Sequence, residues 1–490
     1  MKSPRRRTLR LAAALAAGAM LALGVPAAAS AAPAPHLIDP SETGTINIHK
    51  FKMPEDAPTD RDNGKVKDTT GLEPLEGVTF SVVQVDPATY DLTTNAGWSA
   101  LRSLTPAAAA TAPHGTTVSV TSDSTGLASA DELPLGVYLV TETSYPAGTT
   151  PGAPFLVTVP MTDPDDLNAW MYTINVYPKN SVIGGGSKTV DESQAHKVGD
   201  TVTWTIRGDI PLVDVLDGYR IVDALDARLT YVDTVVSLTN GATLVEDTDY
   251  TVTASGTPTK VTVDFTAAGR AKLVANKAAQ VQVVIRTTIN EVGEILNEAI
   301  IYPNEGSFDI QPGEPGGPIV TPEAEVKYGN VTIEKVNAAD NTAKLAGATF
   351  EVYLTEADAT AGTNPISIEG TSSWTTDASG LLTISGLRQS GWYNGQSVAA
   401  GDTGFQYYWI AETAAPAGFE LLAKPIRITV GAVDTVIDFT VENSPSNGGF
   451  TLPFTGSTIN TALIYGAGAA ILLGAAILVI RQRRKVSADA

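Results

Sequence analysis

Cysteine is absent from the 490 residues, and histidine occurs four times, as His36, His49, His114 and His196, in no metal-ligand spacing. A thiol nucleophile and a disulfide are thereby excluded, and a zinc enzyme has no ligand set. There is no Gly-x-Ser-x-Gly elbow, so a serine hydrolase lacks its nucleophile turn. Positive charge is scarce, with 32 Lys and Arg against 53 Asp and Glu and a net charge of −21. Much of it sits at the ends, in Lys2, Arg5, Arg6, Arg7 and Arg10 and in Arg481, Arg483, Arg484 and Lys485. The middle is more acidic still, which argues against nucleic acid as a partner. No metal and no cofactor is expected.

What is present is apolar content of 43% with only 17% charged residues, enough for packed cores over two to four domains. The basic start is followed by an apolar run over 11–25 and by Ala29-Ser30-Ala31, an A-x-A cleavage site, so 1–31 reads as a secretory signal peptide; a membrane anchor would need a longer apolar stretch. Export normally brings disulfides to small domains. A chain without cysteine must rely on its cores or on another staple.

Near the other end Leu452-Pro453-Phe454-Thr455-Gly456 precedes an uncharged apolar stretch, 459–480, and the basic tail 481–490. The stretch is long enough to span a bilayer, and the basic tail would stay on the cytoplasmic side. In this order the three features resemble the cell-wall sorting signal of Gram-positive surface proteins. That resemblance implies that a membrane-bound sortase attacks the Thr455 carbonyl with a cysteine thiolate and that an amine then takes the acyl group. Thr455 would be a substrate atom, and the membrane a partner of the precursor alone.

Comparing the chain with itself reveals two similar units. Ile46-Asn47-Ile48-His49-Lys50-Phe51 matches Val331-Thr332-Ile333-Glu334-Lys335-Val336, and Leu75-Glu76-Gly77-Val78-Thr79-Phe80 matches Leu345-Ala346-Gly347-Ala348-Thr349-Phe350. Asp123-Ser124-Thr125-Gly126-Leu127 matches Asp377-Ala378-Ser379-Gly380-Leu381, and the segment from Tyr138 to Gly148, with Glu142 in it, matches that from Tyr408 to Gly418, with Glu412. Short alternating strands punctuated by Gly, Asp and Pro, with little helical periodicity, indicate immunoglobulin-like β-sandwiches. A further all-β unit lies between the two, with strands expected at 200–206, 260–265 and 280–289. The expectation is an all-β chain of three tandem sandwiches, at 41–180, 184–302 and 326–444, with boundaries at Ile183-Gly184-Gly185-Gly186 and in the Pro/Gly-rich segment 303–323.

Strict alternation from Ile46 and Ile48 sends Lys50 inward, and Val331 and Ile333 do the same for Lys335. A buried ammonium is costly, so each lysine either pairs with its Glu or becomes neutral with it. A neutral amine can attack the side-chain amide of a nearby Asn while a protonated carboxyl hydrogen-bonds the amide oxygen and shuttles protons, expelling ammonia. The product is a Lys–Asn isopeptide cross-link, a staple available without cysteine.

Lys335, Glu412 in Glu412-Thr413-Ala414-Ala415-Pro416-Ala417-Gly418, and Asn443 resemble the triad of a CnaB-type domain. The middle unit is similar to a CnaA-like module, which implies Lys188 as the amine, Asp223 as the acid and Asn297 as the acceptor, with Lys197 and Asp226 as rivals. In the first unit Lys50 and Glu142 are clear, and Asn180 is the candidate acceptor. It lies four residues after Val176, however, whereas Asn443 lies two after Val441. The bond there is therefore expected to be absent or late, and surface salt bridges are the plainer reading.

The segment Trp170-Met171-Tyr172-Thr173-Ile174-Asn175-Val176-Tyr177-Pro178-Lys179-Asn180 resembles the pilin motif of shaft pilins, whose lysine is the nucleophile; here that residue is Lys179. Pro178 is expected to end ladder pairing and release Lys179 solvated at the domain edge. Over the whole chain the resemblance is to the major backbone pilins of sortase-built fimbriae. It implies a class C, pilin-specific sortase joining Thr455 of one subunit to Lys179 of the next, a heterologous contact that grows a filament. It further implies a housekeeping sortase, peptidoglycan attachment, and minor pilins at tip and base.

A monomeric wall-anchored adhesin or a minor pilin is the alternative, and it would not need the motif around Lys179. A secreted enzyme has no cleft or nucleophile pattern behind it. Arg207-Gly208-Asp209 follows a strand, and a three-residue match is weak evidence for integrin binding.

Overall fold

The computed structural model describes residues 38–55, 62–433 and 436–446. They form an all-β chain in which α-helix is confined to four short segments. The signal peptide, Leu452 to Gly456, the apolar stretch 459–480 and the basic tail lie outside the described residues. Among the described residues no helix is long and apolar enough to cross a membrane.

In the first domain, Gly44–His49 lies between Thr173–Val176, its parallel neighbour, and Leu127–Leu133. The facing sheet has the order His114–Thr121, Thr79–Val85, Gly136–Ser144, Phe155–Val159. Alternation fills the space between them: Ile46, Ile48, Phe80, Val82, Tyr138 and Val140 are all buried. Lys50 continues the inward series as period 2 requires, and its side chain is fully buried.

The middle domain packs Ser187–Asp191, Thr201–Asp209, Gln280–Ile289 and Leu229–Leu238 against a five-stranded sheet that contains Arg220–Ala224 and Lys260–Phe265. The three strands expected from the pattern are all present within a residue or a few of their predicted bounds. The boundary segment 303–323 contributes a strand of its own, Ile319–Val320, to the five-stranded sheet. Residues ahead of that strand clasp the first domain: Gly148 N donates to Gly317 O (2.9 Å), Gly316 N to Tyr145 O (2.6 Å) and Asn304 Nδ2 to Thr149 O (3.0 Å).

The third domain begins with a long strand, Ala324–Asn337, that serves two domains. Its first half pairs with Gly293–Asn297 of the middle domain, and its second half pairs with Asp340–Lys344, Leu381–Arg388 and Phe439–Asn443. The buried apolar residues of the two domains accordingly form one continuous core. Glu192 and Asn394 exchange backbone-to-side-chain hydrogen bonds of 2.9 and 2.8 Å across the same junction.

Candidate functional site

Lys335 lies on the long first strand and Asn443 on the parallel last strand, while Glu412 comes from Tyr408–Ala414 in the facing sheet. All three are buried. Lys335 Nζ donates to Asn443 Oδ1, and Glu412 Oε1 lies 3.8 Å from Nζ. Asn443 Nδ2 donates to both Glu412 oxygens, at 2.9 and 3.0 Å, and to Glu420 O at 2.8 Å.

The first domain holds the same arrangement. Lys50 Nζ donates to Glu142 Oε1 (2.6 Å) and Asn180 Oδ1 (2.5 Å), and Asn180 Nδ2 donates to Glu142 Oε2 (2.5 Å). Lys50 and Asn180 are fully buried, which corrects the expectation of surface salt bridges. The apparent difference in register disappears once the ladder is followed. Ile48 pairs with Val176 and Lys52 with Asn180, so the Asn stands opposite the residue two after the lysine. In the third domain Asn337, two after Lys335, pairs with Asn443. Val441 stands opposite Lys335 itself and is the counterpart of Pro178, so counting from Val176 compares unlike positions.

In the middle domain Lys188 Nζ donates to Asp223 Oδ2 at 2.5 Å and to Glu298 O at 3.1 Å. Lys188, Asp223 and Asn297 are buried on three different strands. Asn297 faces the Asp223 carboxyl, yet neither its Oδ1 nor its Nδ2 makes a hydrogen bond, and Asp223 Oδ1 is also without one. The rivals are engaged elsewhere: Lys197 pairs with Asp200 (2.8 Å) and Asp226 with Arg228 (2.7 Å).

Burial pulls Lys50, Lys188 and Lys335 down to about 8, against the opposing pull of Glu142, Asp223 and Glu412. Burial pushes the Asp223 carboxyl up, against the pull of Lys188. At pH 7 a lysine of this kind is neutral in about one molecule in ten, against roughly one in several thousand for a free lysine. Cross-linking by a neutral amine should therefore accelerate about tenfold per pH unit below 8 and level off above it. Cell-free synthesis at graded pH, quenched at intervals and read as ammonia lost, checks this; a flat profile between pH 6 and 8 would exclude an amine made neutral by losing its proton to solvent.

One part of the expected chemistry is rearranged. In both outer domains the carboxylate receives the amide nitrogen of the Asn, not its oxygen. Glu142 and Glu412 each lie beside both the lysine nitrogen and the amide nitrogen of the Asn, an arrangement that can pass a proton between the two, and the amide oxygen takes its donors elsewhere.

Lys179 differs from its expected setting as well. Pro178 removes one N–H, but pairing resumes at once: Lys179–Val182 runs parallel to Phe51–Lys52 and antiparallel to Thr149–Thr150. Tyr177 anchors the segment, stacked on His49 at 4.8 Å with its hydroxyl accepting from Lys67 N at 2.8 Å. Lys179 and Asn180 are successive residues of one strand, so their side chains leave opposite faces. Asn180 turns into the core. Lys179 is half-buried on the wall of a cleft of about 630 Å³ between first and middle domains, lined also by Met53, Thr150, Ser181, Val213 and Asp217. Its Nζ donates to Tyr177 O at 3.0 Å, and burial lowers its pKa, opposed by Asp62.

Arg207-Gly208-Asp209 is part of the strand Thr201–Asp209. Asp209 accepts from Gly184 N (2.9 Å) and Gln280 Nε2 (2.8 Å), so its carboxylate holds the hinge between domains and is not displayed on a loop.

Residues 41–181 match the family described as Gram-positive pilin subunit D1, N-terminal domain. Residues 185–301 match the Sgo0707 N2 domain and 329–445 a prealbumin-like fold domain. The chain is 34% identical to fimbrial subunit type 1 of Actinomyces viscosus, over 98% of both chains. It is 30% identical to fimbrial subunit type 2 of Actinomyces naeslundii, over 98% of this chain and 97% of that one. The full-length major pilin SpaD of Corynebacterium diphtheriae superposes with a TM-score of 0.65 at 29% identity, covering 84% of this chain and 99% of SpaD.

Proposed function

The chain belongs to the major pilins of Gram-positive pili, and from that premise we propose that it is the shaft subunit, polymerised covalently by a class C sortase that joins the Thr455 carbonyl of one subunit to Lys179 of the next. The observation that carries this reading is the placement of Lys179, an amine with a lowered pKa on the wall of an interdomain cleft. An amine so placed is reachable by an extended peptide and is more often neutral than a free surface lysine. A heterologous contact between Thr455 at one end and Lys179 in the first domain does not close, so it propagates as a fibre on the cell surface. The final acyl transfer, by a housekeeping sortase, goes to peptidoglycan, and minor pilins occupy tip and base.

Each subunit is stapled by Lys50–Asn180, Lys188–Asn297 and Lys335–Asn443 isopeptide bonds, with Glu142, Asp223 and Glu412 as the respective proton carriers. In support of this reading, all six of these lysines and asparagines are buried.

The test is the intact mass of the chain from residue 32 to 451, which keeps every described residue. The expected result is a deficit of three ammonias, with cross-linked peptides at the three pairs. An unmodified mass would overturn the staples and leave the polymerisation claim to its own test.

A further inference from the structure

We propose that the backbone N–H of Gly152 is the oxyanion donor for the first-domain cross-link, a role that rests on the Lys50–Asn180 bond of the preceding section. Attack of the neutral Lys50 amine on Asn180 Cγ forms the new C–N bond and drives the amide electron pair onto Oδ1. Glu142 takes the proton released by the attacking nitrogen and delivers it to Nδ2. The C–Nδ2 bond then breaks and ammonia leaves as the carbonyl re-forms. Negative charge develops on Oδ1 throughout, and a donor aimed at that atom lowers the barrier most.

Gly152 N donates to Asn180 Oδ1 at 2.8 Å. The orientation of the amide is set from both ends, because its nitrogen meets the Glu142 carboxylate and its oxygen meets the Gly152 N–H. Once Lys50 becomes the nucleophile it no longer donates to Oδ1, which leaves Gly152 as the donor in place. The backbone leading to Gly152 is fixed from outside the domain, since Asn304 Nδ2 donates to Thr149 O.

The third domain shows that this is a choice of target and not an automatic feature of the repeat. Gly152 follows Glu142 by ten residues, and Leu422 follows Glu412 by ten. Leu422 N donates to the Glu412 carboxylate at 2.9 Å instead of to the acceptor amide. The same backbone position thus serves the acceptor oxygen in one domain and the proton carrier in the other.

The decisive comparison is Gly152→Pro, which lacks the N–H, against Gly152→Ala, which keeps it. An added Cβ at this position meets nothing closer than 3.4 Å, so alanine fits. In the chain from 32 to 451, peptide mapping over time follows the three cross-links separately. The expected result is that Gly152→Pro slows the Lys50–Asn180 bond by about 10²–10³-fold, leaves the other two at the wild-type rate, and is rescued by Gly152→Ala. A wild-type rate in Gly152→Pro, or a wild-type chain that links only its middle and third domains, overturns the proposal. A wild-type chain with no cross-link at all overturns the isopeptide reading itself.

Should Gly152→Pro unfold the first domain, hydrogen exchange in Lys50→Met decides, because that variant keeps Gly152 and Asn180 without forming the bond. Slow exchange of the Gly152 amide, released by adding Asn180→Ala, supports the donor; fast exchange in Lys50→Met overturns it.

Discussion

Lys179→Arg is expected to abolish the ladder of heat- and detergent-resistant oligomers while leaving the subunit folded and its mass deficit unchanged. Arginine keeps the positive charge and the length of the side chain, but a guanidinium is always protonated and cannot attack an acyl-enzyme. The effect is expected to be all or none, because in the proposed polymer each bond uses this one amine. Neighbouring lysines are poor substitutes: Lys52 pairs with Glu73, Lys65 with Asp163 and Asp165, and Lys67 with Asp62. The measurement is immunoblotting of wall extracts from cells expressing the variant with its cognate sortase. A ladder of undiminished length would show that another residue is the acceptor, and mapping of the branched peptide would identify it.

The second large effect is expected from Glu412→Gln, which is nearly isosteric and keeps a hydrogen-bonding partner for Asn443 but cannot carry a proton. The third domain should then retain its ammonia. The bond that is lost would have closed a loop between residues 108 apart, and by the chain-entropy argument used for disulfides its absence costs about 4–5 kcal/mol. For a domain of this size that corresponds to a fall in melting temperature on the order of 20 °C. Scanning calorimetry measures the shift, with the first domain, whose core is separate from that of the third, as the internal control. An unaltered melting profile in a chain that has kept its third ammonia would show that the bond does not stabilise the domain as argued.

Placement on one strand would keep the two proposed chemistries on opposite faces. Asn180 points inward to Lys50 and Lys179 outward to the cleft, so the proposed amine for the next subunit and the proposed acceptor of the internal staple occupy consecutive residues. A change at Lys179 need not disturb the triad behind it, which is why the mass deficit is the control for the polymer assay.

The all-β class, the inward-facing Lys50 and Lys335, and their pairing with Glu142 and Glu412 could be read from local alternation and from the internal repeat. Period 2 is a property of each strand by itself, so a few consecutive residues suffice to assign a face. The motif around Lys179 was legible for the same reason, as an unbroken segment. Asn180 could be named as the candidate acceptor for Lys50, but its register could not be read, because it depends on a parallel ladder between strands whose paired residues are 128 apart. Nor could the setting of Lys179 be read: whether a proline ends a strand or only interrupts its hydrogen bonds depends on what lies beside it, and here Phe51–Lys52 and Thr149–Thr150 take up the pairing again. The amide of Gly152 is the extreme case. A backbone N–H has no side-chain signature, so only the tertiary structure, through the chain at Thr149 held by Asn304 of the boundary segment, decides that it meets Asn180 Oδ1.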